Sequence, residues 1–222
     1  MTIEYNRYAV YFVPPRNTPL AGLGRKWLGV DPEDGILDAA PTPWVDSPRR
    51  YGFHATLKAP MRLVDTVTEK QFLQAVASLA QSLKPVSLGN LNLRRIGSFL
   101  ALVHDQKAFP DVNALAWECV TELDHLRAPL TIEEINKRKN LSKVQNELLN
   151  TWGYPYIGSE FRFHMTLSSS LSTKELDQAE AALTPLLSEV MNRETVIEQI
   201  TVLGDPGGAK PFELVQRFDL KG

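Results

Sequence analysis

The sequence contains little cysteine, little net charge and no long hydrophobic run. A single cysteine, Cys119, allows neither an internal disulfide nor a cysteine-based zinc site, which is typical of proteins in a reducing compartment. The net charge of −2 over 222 residues provides no global field that would favour extended nucleic acid or an anionic membrane. No stretch approaches the length that spans a bilayer, and the first residues lack the pattern of a secretion signal. We therefore expect a cytoplasmic protein that binds no membrane and recognises anions only locally.

One short peptide occurs twice in the chain. Its copies are Phe53-His54-Ala55-Thr56-Leu57 and Phe163-His164-Met165-Thr166-Leu167, and they contain two of the four histidines. A lone histidine on a strand is more often a packed or surface residue, and we interpret His104 and His125 in that way. The duplicated context instead indicates that His54 and His164 are functional.

Hydrophobic residues make up 43% of the chain, enough to bury a substantial core. Their spacing divides the chain into strands and helices. The predicted strands are residues 7–13, 51–59, 86–93, 98–103, 160–168, 195–202 and 212–218. The predicted helices are residues 20–28, 68–83, 112–126, 172–187, and 132–152 with a break near Asn140. Residues 29–50 contain four prolines without steady periodicity and are predicted to form a long surface loop.

The order of these elements repeats, because each motif strand is followed by one helix and then two strands. This repetition predicts an α+β protein built from a duplicated unit, with two antiparallel sheets facing across a central cleft and helices outside. We expect one bilobal domain over residues 1–222. The lobe with the first motif would span about 45–105, the lobe with the second about 158–220, and a helical connection about 110–152.

Side chains alternate between the two faces of a strand, so the His and Thr of each motif share a polar face opposite the Phe and Leu. Extending the alternation gives six convergent groups: His54, Thr56, Lys58, Arg162, His164 and Thr166. Two imidazoles, with an ordinary pKa of about 6.5, can supply one neutral base and one protonated acid near neutral pH. The hydroxyls and cations would hold phosphate oxygens, so this scheme needs no metal and no cofactor.

Further candidates lie outside the motifs. Tyr51, Tyr154 and Tyr156 could stack on a base or ribose, although aromatic residues beside a turn more often only pack. The densest basic run is Lys137-Arg138-Lys139, with Lys143 one turn later. We interpret this run as a solvated helix face. The alternative is that the connecting helices fold over the cleft and that the run binds a second phosphate.

The paired motifs, separated by about half the chain, resemble those of the 2H phosphoesterase superfamily, whose signature is two His-X-Thr/Ser-apolar peptides. Longer strings are similar to its DUF1045 branch, whose members are often described as phosphonate-metabolism proteins. These strings are Arg49-Arg50-Tyr51-Gly52-Phe53-His54-Ala55-Thr56-Leu57-Lys58-Ala59-Pro60, Trp152-Gly153-Tyr154-Pro155-Tyr156 and Phe161-Arg162-Phe163-His164-Met165-Thr166-Leu167. The resemblance extends over nearly the whole chain.

This resemblance implies a bilobal fold with a pseudo-two-fold axis and metal-independent chemistry on cyclic phosphodiesters or related 2′-phosphoester linkages. It implies that His54 and His164 are the acid/base pair and that Thr56 and Thr166 donate to phosphate oxygens. One departure stands after the second motif, where Ser168-Ser169-Ser170 replaces an expected Thr-Gly-Arg-like run. If that arginine contacts substrate in relatives, its absence gives Arg162 or Lys58 more weight.

The leading hypothesis is therefore a cyclic phosphodiesterase that acts on a small phosphorylated sugar or nucleotide, with a ribose cyclic phosphate suggested by the phosphonate association. A second hypothesis keeps the site but places RNA ends in the cleft as substrate for hydrolysis or ligation, which the near-neutral charge disfavours. A third is a phosphometabolite-binding protein without catalysis. The sequence leaves open which histidine is the acid, and the oligomeric state.

Overall fold

The computed structural model describes residues 5–37 and 42–222. Within these ranges the strands are β1 (Arg7–Phe12), β2 (Val30–Asp31), β3 (Gly35–Ile36), β4 (Ala55–Met61), β5 (Val86–Asn90), β6 (Asn92–Ile96), β7 (Phe99–Val103), β8 (Met165–Thr166), β9 (Glu194–Ile197), β10 (Gln199–Asp205) and β11 (Glu213–Asp219). The α-helices are α1 (Pro19–Leu28), α2 (Asp46–Arg49), α3 (Glu69–Ser82), α4 (Phe109–Glu122), α5 (Ile132–Asn136), α6 (Lys143–Trp152) and α7 (Thr173–Met191). Single 3₁₀ turns occur at Gln106–Ala108, Asp124–Leu126 and Gly158–Glu160.

The main sheet has seven strands in the order β11-β10-β1-β4-β8-β7-β6, and every neighbouring pair is antiparallel. The predicted α+β class with antiparallel sheets is confirmed. We expected two sheets facing each other, but strands of both halves belong to this one sheet. β4 and β8 pair within it through Ala55 and Met165. This short ladder places the two motifs side by side at the middle of one sheet.

The sheet also interleaves the two halves of the chain. β6 and β7 follow the first motif in sequence, yet β7 pairs with β8 of the second motif. β10 and β11 follow the second motif, yet β10 pairs with β1, which pairs in turn with β4. The division into lobes at about 45–105 and 158–220 stays a prediction, since each motif strand is flanked by strands from the other half.

One face of the sheet carries the core and the other face is open. Val10 and Phe12 of β1 lie in the large hydrophobic core, together with Ala55 and Leu57 of β4 and with Met165 of β8. The helices cover this face: α3 packs on β10 and β11, α4 packs on β4, and α7 packs on β7. Alternation along β1 therefore turns Tyr11 towards the opposite face, where it joins a small cluster.

α1, α3, α5 and α7 begin within one residue of their predicted starts, whereas α4 begins three residues before its predicted start at 112. Thr68, Ser142 and Ser172 each form a capping box with the residue three positions later, which satisfies backbone N–H groups of the first turn. The predicted break near Asn140 is confirmed, because Asn140 has a positive φ of 59° between α5 and α6. α7 runs past the predicted end at residue 187 to Met191, with Pro185 inside it.

The motif strands are shorter than predicted. β4 begins at Ala55 because the preceding Gly52 has a φ of 72°, a left-handed conformation that an extended strand does not contain. β8 contains only Met165–Thr166, and a 3₁₀ turn occupies Gly158–Glu160 before it. Both histidines therefore lie immediately before their strands.

Two other predictions need correction. The predicted strands 86–93 and 195–202 are each divided, and their first parts, β5 and β9, pair with each other outside the main sheet. The predicted loop 29–50 contains the β2–β3 hairpin and the short helix α2, because Val30 and Val45 are buried and hold it to the core. Residues 38–41 of this loop lie outside the described ranges. No described helix combines the length and the apolar character needed to cross a membrane.

Candidate active site

Each motif histidine is held by a carbonyl two residues earlier in the chain. Nδ1 of His54 lies 2.9 Å from the Gly52 carbonyl oxygen, and Nδ1 of His164 lies 2.7 Å from the Arg162 carbonyl oxygen. A carbonyl oxygen only accepts hydrogen bonds, so the proton of a neutral ring sits on Nδ1 in both cases. Nε2 of each ring is thereby left as the nitrogen that can exchange a proton with a ligand.

The two motifs line one cleft. His54, Thr56, His164 and Thr166 border an open cavity of about 1000 Å³. All four side chains are half-buried, in contrast to the buried motif residues on the other face of the sheet. The predicted alternation of the motifs thus holds at these four positions, and the β4–β8 pairing brings both sets to one place.

Burial sets the charge of His54. It lowers the pKa of His54 from 6.5 to about 4, the Gly52 carbonyl acts in the opposite direction, and a positive charge on His164 lowers the pKa of His54 further. His54 is therefore neutral near pH 7.

Sequence reasoning missed Tyr11, which stacks on His54. The ring centroids are 3.9 Å apart, the planes differ by 19°, and the Tyr11 side chain is buried. Tyr11 lies opposite Thr56 in the β1–β4 register, which places it beside the first motif. The alternating apolar pattern of β1 shows which face Tyr11 occupies, but only the pairing with β4 reveals its neighbour.

Lys58 does not contribute to the cleft, so its prediction as a substrate-binding residue is wrong. Its Nζ donates to the Val120 carbonyl oxygen at 3.0 Å and contacts Asp124 at 3.3 Å, and the side chain is buried. The β1–β4 register shifts between the pairs Val10–Lys58 and Tyr11–Thr56. This bulge breaks the alternation and turns Lys58 to the core side. Burial lowers the pKa of Lys58 to about 8, although the charge of Asp124 opposes this effect.

Arg162 and Tyr156 border a neighbouring hollow of about 430 Å³. This hollow shares Thr56, Tyr154 and His164 with the cleft. The Arg162 side chain is exposed, and the backbone carbonyl oxygen of Arg162 holds the His164 ring. The structure thus places Arg162 and Tyr156 beside the histidine pair and not within the main cleft.

Tyr51 and Tyr154 do line the cleft. The Tyr51 ring lies 6.1 Å from the His54 ring and 5.1 Å from the Phe212 ring. Tyr154 contacts Tyr156 edge to face at 5.5 Å. Burial is the main cause that raises the pKa of Tyr154, and the charge of Arg138 opposes it. Contact of either residue with a ligand stays a prediction.

The basic run reaches the cleft. Lys137 and Arg138 border it, and the guanidinium carbon of Arg138 lies 5.3 Å from the centroid of the Tyr154 ring. Both residues are exposed, as the favoured interpretation expects, and they also lie at the rim of the cleft, as the alternative expects. Lys143, by contrast, points to solvent near Glu147 at 4.0 Å.

A second feature that sequence reasoning missed is the ion network around Asp205. Arg7 pairs with Asp205 at 2.6 Å and Arg50 pairs with it at 3.2 Å. Arg7 borders the cleft. Asp205 stays ionised because the hydrogen bonds from Arg7 and the Gly207 amide lower its pKa against the effect of burial. The network ties the start of β1 to the end of β10 beside the cleft.

The three serines after the second motif form hydrogen bonds with neighbouring segments of the chain. The Ser168 hydroxyl accepts a hydrogen bond from the Leu100 amide at 2.9 Å, and the Ser169 hydroxyl accepts one from the Ser47 amide at 3.0 Å. The Ser170 and Ser98 hydroxyls are 2.6 Å apart. These contacts attach the end of β8 to β7 and α2. Within the described ranges, no group of three or more His, Cys, Asp or Glu side chains is arranged to hold a metal ion.

A family model described as "Protein of unknown function (DUF1045)" matches residues 56–213, which include Thr56 and Leu57 of the first motif and all of the second. The chain belongs to the DUF1045 family. This assignment confirms the branch that the sequence strings suggested.

Two curated relatives of this DUF1045 protein carry the name "Ribose 1,5-bisphosphate phosphokinase PhnN". The relative from Janthinobacterium sp. (strain Marseille) is 35% identical over 232 residues, covering 97% of this chain and 51% of that protein. The relative from Laribacter hongkongensis (strain HLHK9) is 33% identical over 177 residues, covering 77% of this chain and 42% of that protein. The chain thus spans about half the length, or less, of these relatives.

The fold also matches a solved structure. A crystal structure of E. coli LigT complexed with NADP+ aligns over 99% of both chains, with a TM-score of 0.50 and 13% sequence identity. At this identity the match concerns the fold, and it confirms the 2H phosphoesterase-like architecture that the paired motifs implied.

Proposed function

We propose that this protein is a 2H-type phosphoesterase that hydrolyses a cyclic phosphodiester of a small sugar or nucleotide by acid/base catalysis between His54 and His164. The observation that carries the proposal is the matched pair of histidines in one cleft, each with Nδ1 held by the carbonyl two residues earlier. Catalytic acids and bases need this kind of fixed tautomer and orientation. The family and the fold are consistent with this chemistry.

The charge of the histidines suggests their roles. His54 is neutral near pH 7, because its pKa is about 4, so its Nε2 accepts a proton from the attacking water. The water oxygen then bonds to phosphorus while the bond from phosphorus to the leaving ring oxygen breaks. His164 donates a proton from Nε2 to that oxygen, which becomes a hydroxyl. Proton exchange with solvent restores both rings, and the product is a phosphomonoester.

The threonines have the supporting role in this scheme. Thr56 and Thr166 border the cleft beside the histidines, and their hydroxyls can donate to the non-bridging phosphate oxygens. The Thr56 hydroxyl lies 3.5 Å from Nε2 of His54, at the limit of a hydrogen bond, so it is free to turn towards a ligand. The mechanism as proposed uses protein groups alone.

The names of the curated relatives support a small ribose phosphate as the substrate class, because they refer to ribose 1,5-bisphosphate. The phosphokinase activity is named for proteins about twice as long as this chain. This sequence contains no Gly-Lys dipeptide and therefore no G-x-x-x-x-G-K-[ST] phosphate loop. The proposal accordingly assigns phosphoester hydrolysis, and not phosphoryl transfer from ATP, to the present chain.

The experiment that tests the proposal is a screen of 1,2- and 2′,3′-cyclic phosphates by phosphorus NMR in the presence of EDTA. We expect the wild-type protein to convert at least one of them to a monoester, and His54→Ala and His164→Ala to abolish conversion. His125→Ala removes an exposed histidine near the end of α4 and serves as the matched control. Full activity of His54→Ala or His164→Ala in the presence of EDTA would contradict the mechanism. Tight binding of a cyclic phosphate without turnover would favour the binding-protein hypothesis instead.

A further inference from the structure

The helical connection forms one wall of the cleft. α5 ends at Asn136, and the two residues that follow, Lys137 and Arg138, border the cleft together with Tyr154, which lies just beyond α6. This wall lies outside both histidine motifs and also carries Glu133 and Glu134, which pair with Lys137 and Arg62. The catalytic scheme assigns no role to these residues.

Arg138 differs from the other cations of the cleft in its partners. Arg7 pairs with Asp205 at 2.6 Å, and Lys137 pairs with Glu133 at 2.9 Å. Among the residues that the structure describes, Arg138 has no carboxylate within salt-bridge distance, and its guanidinium lies against the Tyr154 ring. Arg138 is therefore the cleft cation whose charge is left for a ligand.

The contact with Tyr154 is compatible with anion binding by Arg138. A guanidinium has five N–H donors in its plane, and a cation–π contact does not pair them with a carboxylate. Two of them match two oxygens of a phosphate in a bidentate arrangement.

Tyr154 also connects Arg138 to the histidine pair. Tyr154 and His164 both border the cleft and the neighbouring hollow. Tyr11 stacks on His54 at 3.9 Å. Arg138, Tyr154, Tyr11 and both motif histidines border the same cleft. A ligand that fills this cleft can contact both Arg138 and the histidine pair.

We propose that Arg138, in cation–π contact with Tyr154, forms a second anion subsite that binds a phosphomonoester group of the substrate. The substrate is then a small molecule with two phosphates: a cyclic diester at the histidine pair and a monoester at Arg138. The identity of the reacting ester rests on the proposed function, whereas binding of a second phosphate at Arg138 does not.

A binding experiment tests the subsite independently of turnover. The probes are adenosine 2′-phosphate and adenosine 2′,5′-bisphosphate, which differ only in the second phosphate and contain no cyclic ester. Calorimetric titration of the wild-type protein is expected to give an affinity for the bisphosphate at least about tenfold higher. Arg138→Gln is expected to reduce this ratio to between one and about two, by weakening the bisphosphate alone.

Arg94→Gln is the matched control, because it removes the same charge from an exposed arginine on β6, at the edge of the main sheet. We expect Arg94→Gln to keep the wild-type ratio. An equal affinity of wild type for both probes, or an unchanged ratio in Arg138→Gln, would overturn the subsite. Failure of all cyclic phosphates to react, together with a ratio that depends on Arg138, would instead reject the proposed hydrolysis and leave the subsite standing.

Discussion

At the scale of single residues, the histidine pair is symmetric in its hydrogen bonds and asymmetric in its surroundings. Both Nδ1 atoms are held by the carbonyl two residues earlier. Only His54 has a ring stacked on it at 3.9 Å, that of Tyr11, while the Phe99 ring lies 5.8 Å from that of His164. A reaction with one base and one acid needs such a difference, because two rings in identical environments would compete for the same proton.

The lowered pKa of His54 has a consequence for stability. The folded protein binds this proton with a pKa of about 4, whereas the unfolded chain has the ordinary value of 6.5, so acid favours unfolding between these values. The contribution to stability is complete above about pH 6.5 and is lost as the pH falls towards 4. In His54→Asn, we expect the loss of unfolding free energy between pH 7 and pH 5 to be smaller by about 2 kcal/mol. Urea unfolding at both pH values measures this difference in unfolding free energy, and equal losses in variant and wild type would contradict the prediction.

Tyr11 is expected to act as a positioning residue for His54. Tyr11→Leu removes the stacked ring and should lower kcat by about tenfold or more, because the imidazole loses its fixed orientation. Tyr11→Phe keeps the ring and should restore kcat to near the wild-type value. Steady-state kinetics on the cyclic phosphate found by the NMR screen provides the measurement. A Phe variant as impaired as the Leu variant would show that stacking is not what matters.

At the scale of elements, the period-two pattern predicted which motif side chains face the cleft, and it failed where the strand is irregular. His54 and Thr56 were placed correctly from alternation. Lys58 was not, because the bulge between Thr56 and Lys58 depends on the pairing with β1, which lies far away in sequence. The position of the basic run at Lys137 relative to the cleft stayed open for a similar reason. Its helical pattern shows exposure but not which surface the connection covers.

The bulge leads to a prediction for Lys58. Lys58→Met removes the donor to the Val120 carbonyl oxygen and one partner of Asp124, which retains Arg127 at 2.8 Å. We expect a loss of about 1–3 kcal/mol in unfolding free energy and a change in kcat/KM of no more than about twofold. Thr56→Val, on the cleft face of the same strand, should instead lower kcat by about 10- to 100-fold. The opposite pattern would restore Lys58 as a substrate contact.

At the scale of the whole molecule, the sequence repeat predicted the duplication but not how the two units combine. Composition and spacing were sufficient for the α+β class and for most helices. The order of strands was not accessible, because the periodicity of each strand specifies a buried face and says nothing about its neighbours. The interleaved sheet implies that neither half completes its own sheet, since β7 needs β8 and β10 needs β1.

The same interleaving explains how one cleft can hold both motifs. β4 and β8 meet through the single pair Ala55–Met165, so the two histidines enter one cavity from adjacent strands. The helical connection then closes the rim with Arg138 and Tyr154. The reacting centre therefore depends on the sheet, and the proposed second phosphate subsite depends on the connection.

The most direct measurement of the central claim is the single-turnover rate of wild type, His54→Ala, His164→Ala and the double variant on the cyclic phosphate that reacts fastest in the NMR screen. Because an acid and a base act as one unit, we expect each single variant to be slower by about 10³-fold or more, and the double variant to be little slower than either. A single variant that retains a rate within about tenfold of wild type would contradict catalysis by the pair.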